Sequence, residues 1–173
     1  MRSIVLIIVL LGAGFLVLEH LTPHSSVTVA AAERDAPSTV DMSGAKRLFC
    51  SYVSLSQAYD PAVGDLYTDT ANITYTRRYP SGTVSELSTT GAELKRLLPA
   101  AAAAARAKQL VEIFTHVTYQ AQSDGTVLIT ATRWASGSYT APYSMQVKLV
   151  HGEWKIVEEV VLSLPPLSGS GTP

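Results

Sequence analysis

From residue 43 onward the apolar positions change period several times, and each change marks an element. Ala45, Leu48, Phe49, Tyr52, Leu55 (or Ser56) and Tyr59 recur at helical spacing, with Lys46, Arg47, Ser51 and Ser54 on the opposite side. Asp60-Pro61 then offers an N-cap and a first-turn proline for a short second helix through Val63 and Leu66. A third helix opens at Thr90-Gly91-Ala92-Glu93, a capping box in which hydroxyl and carboxylate satisfy each other's backbone donors. It carries Leu94, Leu97 and Leu98, and Pro99 is expected to kink or restart it. The run Ala100 to Ala105 needs only helix propensity to explain it.

The remaining segments alternate with period two. The pattern predicts a strand from about Ala71 to Tyr79, a turn at Pro80-Ser81-Gly82 and a second strand from Thr83 to about Ser88. Four longer strands follow the third helix: Gln109 to Gln122, Thr126 to Ser136, Ala141 to Val150 and Glu153 to Ser163. Ser123-Asp124-Gly125, Gly137-Ser138 and His151-Gly152 separate them with hairpin chemistry. Helix, helix, hairpin, helix and a four-strand meander make an α+β domain, with three helices packed on one face of an antiparallel sheet of about six strands.

Register follows from parity. The third strand's apolar set is Val111, Ile113, Val117 and Tyr119, and the fourth's is Val127, Ile129 and Ala131. A three-residue loop with Gly125 at positive φ puts both sets on one face. In the fifth strand Tyr143, Met145, Val147 and Leu149 alternate, and a two-residue His151-Gly152 turn would pair Leu149 with Trp154, Val147 with Ile156 and Met145 with Glu158. The inward face is then apolar with two intrusions, Arg133 and Glu158. A lone buried charge costs several kcal/mol, so the two are expected to face each other or a wet pocket. His116 and Trp134 fall on the outer face, a hint of a homodimer through that surface.

The first part of the chain reads as an address. Arg2 precedes an unbroken apolar run from Ile4 to Leu18. A membrane-spanning helix needs about 20 such residues, a signal-peptide core only about 7–15. Ala30-Ala31-Ala32 offers a small-residue cleavage site, while Arg2 also suits an uncleaved anchor with its start in the cytoplasm. The expected organisation is a signal peptide or anchor over 1–32, a linker over 33–42, the folded domain over 43–164 and a disordered tail over 165–173. Either form of the leader places the domain outside the cytoplasm, secreted or periplasmic if cleaved and single-pass anchored if not.

Composition narrows the function. Net charge is −1 and basic residues are scattered apart from Arg77-Arg78, which disfavours nucleic acid. Membrane contact is expected only through the N-terminal segment. The single cysteine, Cys50, excludes an intrachain disulfide and reads as a small half-buried hydrophobe on the first helix. The four histidines have no metal-ligand spacing, and neither metal nor cofactor is expected. Asn72-Ile73-Thr74 is a glycosylation sequon placed at a strand start.

The segment Leu66-Tyr67-Thr68-Asp69-Thr70-Ala71-Asn72-Ile73 resembles a stretch of the nuclear-transport-factor-2-like (SnoaL-like) domains, in which a short helix delivers the chain into the first strand. Thr90-Gly91 at the third helix and the ending Val147-Lys148-Leu149-Val150-His151-Gly152-Glu153-Trp154-Lys155-Ile156 fit the same family. The resemblance covers roughly residues 43 to 163 and implies a cone, with a curved sheet folded over helices and a pocket at its mouth. Some members, such as ketosteroid isomerase, transfer protons there with a carboxylate base on the first strand, a helix-one tyrosine and a protonated aspartate. The tyrosine matches Tyr52; the base position falls on or beside Tyr75, and the aspartate position near Met145. With both acids missing, that chemistry is not expected. The residual catalytic option is Glu158 as base with Arg133 or Tyr52 polarising the substrate, beside the readings of Arg133 and Glu158 as a polar ligand contact or a plain internal salt bridge. No catalytic residue is assigned. The reading is an exported domain with a modest apolar pocket lined by Tyr52, Tyr75, Arg133, Tyr143 and Glu158, binding a small hydrophobic molecule without catalysis. The alternatives are an isomerase, dehydratase or hydrolase of such molecules, and a membrane-anchored assembly subunit.

Overall fold

The computed structural model describes residues 42–79, 81–136 and 140–163. The leader or anchor, most of the linker, the Gly137-Ser138 turn and the tail lie outside the described residues. Among those described, no helix is long and apolar enough to cross a membrane.

Helix α1 (Met42–Gln57) turns Gly44, Ala45, Leu48, Phe49 and Tyr52 inward. Cys50 is exposed, which corrects its expected half-buried place. A step of about 100° per residue carries it from Phe49 past the edge of the apolar stripe. The second helix is a 3-10 helix, Pro61–Leu66, whose first turn is capped by the Asp60 carboxylate accepting from the Ala62 amide at 2.9 Å. It feeds β1 (Tyr67–Arg78), which turns back as β2 (Val84–Thr90). Helix α2 (Gly91–Ala107) begins at Thr90, whose hydroxyl accepts from the Glu93 amide at 3.2 Å. The Glu93 carboxylate accepts from the Thr89 hydroxyl instead of closing the box on Thr90. The helix runs unbroken through Pro99. A Cβ at Gly91 would collide with the Thr68 carbonyl oxygen, so only glycine lets α2 start this close to β1.

The remaining strands are β3 (Glu112–Ala121), β4 (Val127–Ala135), β5 (Ala141–Val150) and β6 (Glu153–Ser163). Their order across the sheet is β2-β1-β6-β5-β4-β3. Neighbours run antiparallel except β1 and β6, which run parallel, so the sheet is mixed rather than wholly antiparallel. The α+β class stands. Fully buried Ile73, Val127, Ile129, Met145, Val147 and Ile156 form the sheet's inner face, and Ala45, Leu48, Phe49 and Leu94 pack onto it from the helices.

The turns hold the expected registers locally. Gly125 sits at φ 79°, and the Gln122 amide bonds the Thr126 carbonyl at 2.9 Å, closing a three-residue loop. His151 and Gly152, at φ 51° and 85°, close a two-residue turn that pairs Leu149 with Trp154 and Val147 with Ile156. Two bulges then change the parity. In β3, Thr115 pairs with Thr132 but Thr118 with Thr130, so His116 and Val117 share one partner position, and His116 takes φ 53°. Val117 and Tyr119 therefore face inward, whereas Val111 and Ile113 lie exposed on the outer side beside Trp134, and Glu112 and Phe114 turn in. In β6, Val147 pairs with Ile156 but Gln146 with Glu158, which makes Val157 the extra residue. Met145 consequently faces Glu159, not Glu158.

Candidate functional site

The second bulge sets the site. Reading across the sheet, Thr89, Ile73, Glu159, Met145, Ile129 and Tyr119 form one row of Cα partners. Glu159 is thus a carboxyl in the middle of an apolar face, 1% exposed. Desolvating it would cost several kcal/mol without compensating bonds. Three tyrosines supply them. Oε1 accepts from the hydroxyls of Tyr52 on α1 at 2.9 Å and Tyr143 on β5 at 2.8 Å, and Oε2 accepts from Tyr67 at the start of β1 at 2.7 Å.

The electrostatics follow from that enclosure. Burial pushes the Glu159 pKa up, the hydrogen bonds from Tyr67, Tyr143 and Tyr52 pull it back, and the Glu112 charge adds to the rise. Burial, then the charge of Glu159, holds Tyr52, Tyr67 and Tyr143 well above the ordinary phenol range. All three stay protonated donors at neutral pH. None is a base.

A second charged pair stands nearby on the same face. Glu112 lies opposite Ala135, two residues beyond Arg133 on β4, so the two side chains meet diagonally across the strands. Arg133 donates to Glu112 Oε1 with side-chain exposures of 8% and 14%. Burial pulls the Arg133 pKa down, but the Glu112 charge and hydrogen bond raise it by more, so the guanidinium stays charged.

These groups border a cavity of about 100 Å³ between α2 and the sheet. Leu94, Leu98, Ala101, Ala102 and Ala105 of α2 form an apolar wall, and its polar lining comprises Tyr52, Tyr67, Tyr75, Glu112, Arg133 and Glu159 together with Ser56, Tyr59 and Asp60. Small alanines where the sequence shows only a low-complexity run leave the room open. Tyr75 is half-buried, and its hydroxyl makes no hydrogen bond to the described residues. Its pKa is raised by burial and by Glu159, against a lowering from Arg133.

Of the residues singled out from sequence, Tyr52, Tyr75 and Arg133 share the cavity wall. Tyr143 is not on that wall and reaches the site through Glu159. Glu158 is corrected. It is half-buried, accepts from the Gln146 amide at 3.0 Å and does not line the cavity. Arg133 accordingly pairs with Glu112 rather than with Glu158. Sequence reasoning missed Glu159, Tyr67 and Glu112. The adjacent Glu158-Glu159 pair was the visible signal for the first, since a strand must turn one of two consecutive carboxylates inward.

Chemically, the site brings tyrosine and guanidinium donors together with three carboxyl groups, Asp60, Glu112 and Glu159. Both oxygens of Glu159 are engaged by tyrosines, and Glu112 is engaged by Arg133. Proton abstraction needs a carboxylate oxygen within hydrogen-bond reach of substrate. Both oxygens of Glu159 are occupied, whereas Glu112 Oε2 and Asp60 Oδ2 accept no side-chain or backbone hydrogen bond from the described residues. Among the described residues no cluster of three or more His, Cys, Asp or Glu could hold a metal ion.

No protein-family model and no curated protein matches the sequence. Solved structures do match its fold. An NTF2-like protein with a cystatin-like fold from Novosphingobium aromaticivorans aligns at TM-score 0.53 and 14% identity, covering 76% of this chain and 84% of that one. A protein from the same organism described as a scytalone dehydratase aligns at 0.51 and 14%, covering 72% and 84%. The yeast Ubp3-associated protein Bre5 aligns at 0.53 and 14%, covering 70% and 95%. Neighbours whose names range from a dehydratase to a protein-associated factor share the architecture and leave activity to the site. In fold, the described domain of this chain is NTF2-like, of the cystatin-like type.

Proposed function

We propose that this domain binds a small, mainly hydrocarbon molecule in the cavity between α2 and the sheet, and that it does so without catalysing a reaction. The observation that carries this reading is one cavity with an alanine- and leucine-lined wall and a polar lining in which the Tyr75 hydroxyl makes no hydrogen bond to the described residues. Ligand sites are concave and mostly apolar, with a few placed polar groups, and this one has that make-up. Catalysis is not part of the proposal, because Glu159 is held by Tyr52, Tyr67 and Tyr143, Glu112 is paired with Arg133, and Asp60 caps the 3-10 helix through the Ala62 amide. We also propose that the domain works outside the cytoplasm, secreted or tethered; the run from Ile4 to Leu18 behind Arg2 supports this.

The test is a screen of small hydrophobic compounds by amide-detected NMR on residues 42–163. Hits should shift the amides of Tyr75, Ala101, Ala102 and Arg133 together. Hits that shift only outer-face residues, or none from a broad screen, would reject the reading.

A dimer has its own supporting observation. Ile113 and Trp134 are cross-strand partners on the outer face, 47% and 40% exposed, with Val111 alongside at 44%. Contiguous exposed apolar groups of this kind mark contact surfaces. Trp134→Lys should shift a dimer to monomer by sedimentation equilibrium, and a monomeric wild-type protein would end this part of the reading.

A further inference from the structure

One end of the cavity carries carboxylate oxygens that the fold leaves free. The Tyr59 hydroxyl donates to the Leu110 carbonyl at 2.8 Å, which holds the turn after α1 against the segment entering β3. That contact brings Ser56 and Asp60 to the same end as Glu112, and all three line the cavity. Asp60 accepts from the Ala62 amide through Oδ1, and Glu112 accepts from Arg133 through Oε1. Oδ2 of Asp60 and Oε2 of Glu112 accept nothing from the described residues. No side-chain polar atom among those residues is both buried and unpartnered, so solvent reaches these two oxygens.

Charge and aromatic rings point to one class of guest. Arg133 balances Glu112, which leaves Asp60 unmatched on the wall, and Glu159 adds negative charge whenever it is ionised. Arg106 donates to the Ala58 carbonyl and is not on the wall. A guest that fills about 100 Å³ displaces the water around the free oxygens. A neutral guest then strands desolvated carboxylates, and an anionic one adds repulsion. An ammonium group meets neither penalty, because it brings one positive charge and three N–H donors. The hydroxyls of Tyr52, Tyr59 and Tyr67 are engaged by Glu159 and Leu110, which leaves their rings to the cavity, and a tyrosine ring attracts a cation over its face.

We infer that the ligand of this cavity is a small hydrocarbon amine in its ammonium form, with its head group at Asp60 and Glu112 and its hydrocarbon against the leucines and alanines of α2. The assignment rests on the binding reading above and goes further by naming the charge and chemistry of the head group. Asp60 is the residue that selects it. Glu112 already has Arg133 as its cation, whereas Asp60 has no ion-pair partner among the described residues.

The experiment uses three probes on one ring skeleton: cyclohexylamine, cyclohexanol and cyclohexanecarboxylate, titrated at pH 7 and followed by the amides of Asp60, Ala101, Ala102 and Glu112. Cyclohexylamine, protonated at that pH, should bind at least about tenfold more tightly than cyclohexanol, roughly the value of one hydrogen bond to a charged group. The carboxylate should bind most weakly. Asp60→Asn keeps a capping oxygen for the Ala62 amide, so the fold is retained, and the amine's advantage over the alcohol should fall to within about threefold. If the alcohol or the carboxylate matches the amine, the head-group assignment is overturned while cavity binding stands. An amine advantage that survives Asp60→Asn overturns the role of Asp60. If no probe shifts the cavity amides, the binding reading itself fails and the inference falls with it.

Discussion

The hydroxyl of Tyr52 on the first helix donates to Oε1 of Glu159 on the last strand at 2.9 Å, joining residues 107 apart in the chain. This bond, with those from Tyr67 and Tyr143, is what allows a carboxyl to stand in the middle of an apolar sheet face. Tyr52→Phe should therefore cost about 0.5–3 kcal/mol of stability, the span from a neutral to a charged acceptor. Glu159→Leu should cost more, because three buried hydroxyls lose their acceptor together. Adding Tyr52→Phe, Tyr67→Phe and Tyr143→Phe to Glu159→Leu should recover much of that loss, since replacing every partner by an apolar group leaves nothing unsatisfied. Urea midpoints across the series decide it, and a purely additive decline would contradict the network.

The raised pKa of Glu159 makes a signed prediction about pH. Burial lifts the folded pKa above the ordinary glutamate value of about 4.3. Between the unfolded and the folded pKa the native state holds more protons than the unfolded state, so stability falls as pH rises through that window. Below the unfolded value both states are protonated, and the site imposes no penalty. Relative to Glu159→Gln, which carries no ionisable proton, wild-type stability should decline from about pH 4.3 upward and level off above the folded pKa. A difference curve that rises with pH would show that the three tyrosine bonds outweigh burial.

Arg133 and Glu112 should behave as one unit. Their side chains are 8% and 14% exposed, so removing either leaves a largely buried charge without its partner. Arg133→Met or Glu112→Leu alone should cost up to about 3–5 kcal/mol, and the double substitution should return most of it. Double-mutant-cycle coupling near zero would mean that cavity water already solvates each charge separately.

Much of the fold was legible. The bounds of β5 and β6, the Thr90 cap, the Gly125 loop and the His151-Gly152 turn all follow from local chemistry, and the structure repeats them. What parity could not reveal was the pair of bulges. An inserted residue at His116-Val117 sends Val111 and Ile113 outward and brings Glu112 in as the partner of Arg133. A second at Val157 exchanges Glu158 for Glu159. Each bulge lies within a hairpin of consecutive strands, where one inserted residue breaks the alternation that a parity reading assumes unbroken. The tyrosines suffered less: Tyr52 lies on a helix, and Tyr75 lies in the regular stretch of β1 beyond its irregularity between Tyr67 and Asn72.

That exchange is itself testable. Glu158 is half-buried with the Gln146 amide as its partner, so Glu158→Gln should change stability by no more than about 0.5 kcal/mol. Glu159→Gln, one residue on, should change it measurably and in a pH-dependent way. Chemical denaturation of the two variants at pH 7 compares them; equal effects, or a larger one at Glu158, would place the bulge wrongly.

Everything proposed about ligands requires that the space beneath α2 is open and not filled by the protein's own side chains. Ala102→Leu probes this without any ligand, because it extends a side chain from the helix into the cavity wall. In a closed core the added methylenes would cost about 1–3 kcal/mol through overpacking. In a cavity of about 100 Å³ they should find room, and the unfolding free energy in urea should stay level or rise. A loss of the size expected for an overpacked core would mean that the cavity is closed in solution and that the binding site does not exist.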